Sequence, residues 1–242
     1  HGIETKDWNF LINNSNKPLT NKSIAGLYPP GSTIKTIVAL SALENDVWNP
    51  KKTINCKGKI ELYGEKFHCW KKKGHGYLSM RSAIKRSCDV YFYEVARQLG
   101  VDRLSKTAKK FGLGQKVLNN FLEERSGVVP NTSWKKKYIG QNWYLGETLH
   151  SGIGQGYYLT TPLQLCLMTA QIANGGFKIY PNIIIDEKQK NNLKDYIKYK
   201  NENPNDSISP DLLFSNFDLT PLFRNQENIN FVKDAMFAST NE

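Results

Sequence analysis

Ser32 and Lys35 stand three residues apart in Tyr28-Pro29-Pro30-Gly31-Ser32-Thr33-Ile34-Lys35, behind a stiff turn and at the mouth of an apolar run. Two prolines fix the approach, and Gly31 permits a tight turn. The residues that follow (Ile34, Ile37, Val38, Leu40, Leu43, Val47) have helical spacing and predict a helix to about Asn45, with hydroxyl and amine on one face. Serine is a weak nucleophile at its free pKa and needs a neighbouring base, and burial against an apolar helix favours the neutral form of an amine. The pair reads as Ser-Lys acyl-transfer chemistry. The same spacing occurs at Ser82 to Lys85 and at Ser133 to Lys136, so spacing alone does not choose. Only Ser32 has the Pro-Pro-Gly lead and a long apolar helix behind it. The ordinary alternative for an isolated match is a helix-capping serine beside a solvated lysine.

The elements that must position this pair come from a chain of 242 residues, 39% hydrophobic, long enough for one large domain or two small ones. Its formal charge of +11 suits an anionic neighbourhood such as a membrane surface, a cell-wall polymer or nucleic acid. No nucleic-acid motif accompanies the charge, so no nucleic-acid partner is expected. Lys71 to Lys73 and Lys135 to Lys137 read as solvated loops. No run of 18 apolar residues spans a membrane and no signal peptide opens the chain, which reads as starting mid-protein.

In order, residues 1 to 27 form an approach segment with an amphipathic piece at Trp8 to Ile12. After the Ser32 helix, residues 51 to 80 change to short extended pieces punctuated by glycines. Helices are expected at Met80 to Arg86, from Val90 to Gly100, and onward to Gly112, the last capped by Asp102. Residues 115 to 150 carry little periodicity and read as a long surface loop. Thr161-Pro162 then caps a helix apolar on nearly every face, read as buried together with its Cys166. Residues 182 to 208 read as an exposed insertion, and Pro210 to Phe237 as a helical tail starting near Ser209 or Asp211.

Four ordered blocks carry a resemblance. The Ser32 block, Ser87-Cys88-Asp89-Val90-Tyr91-Phe92-Tyr93, Gly152-Ile153-Gly154-Gln155-Gly156-Tyr157 and Thr161-Pro162-Leu163-Gln164 resemble the transpeptidase domain of class B penicillin-binding proteins. Trp70-Lys71-Lys72-Lys73-Gly74-His75-Gly76 makes it similar to the elongation type, penicillin-binding protein 2. The resemblance implies an α+β, β-lactamase/transpeptidase-like fold, here mainly its helical part with most of the central antiparallel sheet absent. It implies a serine D,D-transpeptidase that crosslinks peptidoglycan stem peptides and is acylated by β-lactams. Ser32 would be the nucleophile, Lys35 its base, Ser87 the proton relay and Asp89 the group that orients Lys35, with the Ser32 N–H as half an oxyanion hole. Implied partners are a membrane glycan polymerase and other elongation-complex proteins. The implied location is the periplasmic side of the cytoplasmic membrane, held by an upstream transmembrane helix.

The family's Lys-Ser/Thr-Gly motif occurs nowhere in the chain. An internal fragment is therefore expected, covering 1 to 242 as a partial domain with little turnover of its own. A serine β-lactamase or penicillin-sensor relative and a non-catalytic, zinc-stapled scaffold module are the competing readings. Cys56, Cys69, His75 and Cys88 bracket the glycine-rich loop and supply three thiolates and one imidazole, a structural zinc set that the resemblance supports. A Cys56–Cys69 disulfide, with Cys88 buried and His75 on the surface, is the alternative; His68 is a possible substitute ligand.

Overall fold

The computed structural model describes residues 2–118, 121–181, 187–202 and 220–242. Its centre is α3 (Lys35–Glu44), entered through a 3-10 turn at Gly31–Ile34. Ile37 through Leu43 are all buried, as a helix apolar on every face requires. Around it pack α5 (Asp89–Leu99), α6 (Val101–Lys110) and α11 (Gln226–Asn241). α11 buries Ile229, Val232, Ala235 and Ala238, a strict three-residue stripe, against α3 and α4 (Met80–Lys85). Trp48, just beyond α3, donates its indole N–H to Tyr91 of α5 at 2.8 Å.

The extended pieces of residues 51 to 80 form two small antiparallel ladders. β1 (Ile54–Cys56) pairs with β4 (Gly76–Leu78), Cys56 opposite Gly76. Between them β2 (Lys59–Leu62) pairs with β3 (Glu65–His68). The loop crosses itself where Gly74, at φ +79, passes so close to β1 that a Cβ would stand 2.0 Å from the Cys56 carbonyl. Only glycine fits there.

Several sequence expectations need correction. Residues 115 to 150 are not one long loop: α7 (Thr132–Ile139) and α8 (Leu145–Gly152) lie within them, and α8 packs along α5. Lys135 is not solvated; it is 1% exposed and bonds Glu147. Asp102 does not cap α6, because α5 and α6 meet at Gly100; its carboxylate instead receives the Thr132 N–H at the start of α7. α9 (Pro162–Ala173) does begin with the Thr161–Gln164 reciprocal cap, but one face is open and Cys166 is exposed. The terminal helix starts at Gln226, capped by Asn225, rather than near residue 210. Residues 210–219 lie outside the described ones.

α1 (Thr5–Asn13) covers the amphipathic piece, with no buried residue, and α2 (Lys22–Ala25) follows before the Ser32 turn. Of 182–208, residues 187–202 form α10, and the rest lie outside the described residues.

A surface fork joins α4 to α11: Arg81 grips Asp234 at 2.5 Å and Glu242 at 2.6 Å, and Lys85 adds a contact to Glu242. The Arg81 bond holds the Glu242 carboxyl down at about 2, from an ordinary 4.5, with Lys85 assisting. A depressed carboxyl contributes stability that is present above its unfolded pKa and lost as pH falls through the folded one. The melting-temperature gap between wild type and Glu242→Gln is therefore expected to be full above pH 4.5 and to close by about pH 2. Surface exposure keeps that gap small. A gap independent of pH would show that the carboxylate does not stabilise the helix pair.

Candidate active site and metal centre

Ser32 lies exposed in the 3-10 turn, and the turn is clamped from a distant block: the Gly31 N–H donates to the Gly154 carbonyl at 3.0 Å. Gly154 itself sits at φ +72, and a Cβ there would stand 2.2 Å from the Gly31 oxygen. The two glycine blocks of the sequence thus meet as backbone against backbone.

Lys35, at the first turn of α3, is 2% exposed. Its Nζ reaches Asp89 Oδ1 at 2.6 Å, the Ser87 carbonyl at 2.9 Å and Ser87 Oγ at 3.0 Å. Three acceptors complement the three protons of an ammonium. Among the described residues no hydrogen bond joins Lys35 to Ser32 directly.

Asp89 opens α5, where the helix dipole favours a carboxylate. Its second oxygen accepts the Trp70 N–H at 2.9 Å. Ser87 has φ +50, a left-handed conformation for a residue with a Cβ.

A cavity of about 580 Å³ is lined by Ser32, Ser87 and Asp89 with His68, Trp70 and Gln155. Of the three Ser-x-x-Lys matches, only Ser32 borders it. Lys85 is turned to Glu242, and Ser133 and Lys136 are exposed on α7. The four residues read from the sequence for acyl transfer therefore converge: three on the cavity wall and Lys35 behind them. His68 and Trp70 were not read as part of that wall, and the one tryptophan of a lysine- and glycine-rich loop is the signal that could have found Trp70.

Behind the same wall, Cys56 ends β1, Cys69 follows β3, His75 precedes β4 and Cys88 caps α5. Their ligand atoms all lie within 4.8 Å of one another. Cys69 Sγ is 3.6 Å from His75 Nδ1, and the buried His75 Nε2 has no hydrogen-bond partner. Zinc bonds of about 2.3 Å to sulfur and 2.0 Å to nitrogen give tetrahedral edges of about 3.5 to 3.8 Å. The donor set and its dimensions suit a tetrahedral, thiophilic cation. All four cysteines are free thiols. Burial pushes the Cys69 and Cys88 thiols up and the His75 imidazole down. His68 is not in this cluster and lines the cavity instead.

Residues 5–209 match the penicillin binding protein transpeptidase domain model. The peptidoglycan D,D-transpeptidase MrdA of Acinetobacter baumannii is 40% identical over 185 residues, 76% of this chain and 28% of that protein. The crystal structure of Pseudomonas aeruginosa PBP2 in complex with WCK 5153 superposes with TM-score 0.78 at 37% identity, covering 97% of this chain and 47% of the other. PBP2 from Helicobacter pylori, in a complex with MreC, superposes at 0.82 with 32% identity, over 100% of this chain and 40% of its own. The chain spans less than a third of the length of the curated relatives it matches.

Proposed function

The chain belongs to the penicillin-binding protein transpeptidase family, and from that premise we propose that it carries the serine acyl-transfer site of a peptidoglycan D,D-transpeptidase. The observation that carries the reading is the convergence of Ser87 Oγ and Asp89 on the Lys35 amine, beside a cavity that Ser32 borders.

In this reading Ser32 Oγ attacks the penultimate D-Ala carbonyl of a stem peptide. The new C–O bond forms as the C–N bond to the terminal D-Ala breaks. Lys35 gives one of its protons to Ser87 Oγ, 3.0 Å from Nζ, which passes its own to the departing amine, and Lys35 takes the Ser32 hydroxyl proton in its place. Asp89 holds Lys35 in place, and the Ser32 N–H faces the developing oxyanion. A second stem-peptide amine then takes the acyl group, regenerating the Ser32 hydroxyl. β-Lactams present the same acyl carbon and would stay on Ser32.

Cys56, Cys69, His75 and Cys88 would hold one structural zinc ion, whose bonds would tie the loop of residues 51–80 to the turn that carries Ser87. The stem peptides of peptidoglycan are the substrate, and proteins of the elongation machinery are the partners: a membrane glycan polymerase, and a protein of the MreC kind, as in the H. pylori complex. That chemistry takes place on the outer face of the cytoplasmic membrane. No described helix is long and apolar enough to cross it, so anchoring would fall to residues outside those described.

Intact-mass spectrometry with and without a penicillin tests the site. One adduct per wild-type chain and none on Ser32→Ala is expected. An adduct that survives Ser32→Ala would remove Ser32 from the reaction, and a folded, unmodified wild type would favour a scaffold module over an acyl-transferase.

A further inference from the structure

We propose that Trp70 is a positioning residue of the acyl-transfer site, holding Ser87 and Asp89 in the arrangement that engages Lys35. The inference rests on the acyl-transfer reading above.

Ser87 is a non-glycine residue at φ +50, a conformation that persists where its surroundings over-determine it. Its carbonyl is gripped from two sides. Lys35 Nζ donates to it from the helix side at 2.9 Å, and Trp70 Nε1 donates from the loop side at 3.0 Å, shared with the Arg86 carbonyl at 3.2 Å. Asp89 is divided in the same way: Oδ1 takes Lys35 at 2.6 Å and Oδ2 takes the Trp70 N–H at 2.9 Å. One loop residue thus holds, through its ring and its backbone, the two residues that Lys35 holds from the other side.

Burial does not explain this placement. Trp70 is 64% exposed, so little apolar surface is gained by fixing the ring. What fixes it are the indole N–H and an edge-on contact of 5.3 Å with His75. Without the indole donor, the Ser87 carbonyl would be left with Lys35 alone. Ser87 could then relax from its left-handed conformation and carry its hydroxyl out of reach of Nζ. Proton transfer would slow, while the cavity that receives the acyl donor would remain.

The test is penicillin acylation of the protein at its full encoded length, with the dissociation constant and the acylation rate separated by varying concentration. Wild type and Ser32→Ala are run first; an unacylated wild type overturns the acyl-transfer reading and this inference with it. Two variants follow: Trp70→Phe, and β-(3-benzothienyl)alanine at position 70, which puts sulfur where the indole N–H was and keeps the shape. Both are expected to lower the acylation rate about tenfold, the effect of losing one hydrogen bond that holds the proton relay in place. The dissociation constant should stay within about twofold, with metal content and melting temperature unchanged. An unchanged acylation rate, an effect on the dissociation constant alone, or a rate loss that follows loss of metal or of folding would overturn the proposal.

Discussion

Asp89→Ala should destabilise the fold by about 3 to 5 kcal/mol, because it removes the carboxylate from an amine that has almost no access to water. The Lys35 side chain is 3% exposed and that of Asp89 12%. After the change the amine keeps only the Ser87 oxygens, and the Trp70 N–H loses its acceptor. Lys35→Met should cost a similar amount for the converse reason, leaving the carboxylate with Trp70 alone. The double variant Lys35→Met/Asp89→Ala should cost far less than the sum of the singles, since neither charge is then left unpaired. Urea unfolding of all four proteins reads this directly, provided the slope is unchanged. Strict additivity would mean that the pair is solvated in solution and that Lys35 does not depend on Asp89.

Chelation should have the next largest effect. On the zinc reading, elemental analysis finds one ion per chain, and Cys88→Ser or His75→Ala loses it. Where free zinc stands about a thousandfold above its dissociation constant, binding stabilises the native state by about 4 kcal/mol. The loss should appear first in residues 51–80. Their ladders are only three or four residue pairs long, and Phe67, Cys69 and Leu78 are among the few buried apolar side chains the segment has. Amide exchange in that segment should therefore accelerate on chelation before that of α3 does. A metal-free protein lighter by two hydrogens would establish a disulfide in place of the ion.

The parts of the fold that were legible in the sequence are those whose signals are local. α3 announces itself by unbroken apolar spacing, and α9 by Thr161, Pro162 and Gln164, a cap whose members lie within four residues. α7 and α8 have eight residues each, too few to show a period, and much of what holds them lies elsewhere in the chain. The clearest case is Lys135. Within Lys135-Lys136-Lys137 it is one charge of three; only folding brings Glu147 to it and the Tyr144 ring to 4.6 Å. The two lysines that follow it in that run differ accordingly, Lys136 and Lys137 being exposed.

The candidate site divides in the same way. Ser32 and Lys35 share a turn and can be read together, but Ser87 and Asp89 are more than fifty residues away and were tied to them by resemblance, not by spacing. The cysteine and histidine cluster was legible as a donor set and not as a geometry. Trp70 was quoted only as part of a motif, because what distinguishes it is two hydrogen bonds to residues that the sequence places far off.

The meeting of Gly31 with Gly154 also bears on how the protein can evolve. At Gly154 any side chain would be strained by the backbone and would collide with the Gly31 oxygen, a fixed atom of the nucleophile's own turn. A population selected for a reshaped site therefore has no path through this position, since each amino-acid replacement there displaces Ser32. Adaptive variants should accumulate at exposed rim residues such as His68 and Gln155, which border the cavity and can change size without moving the backbone beneath Ser32.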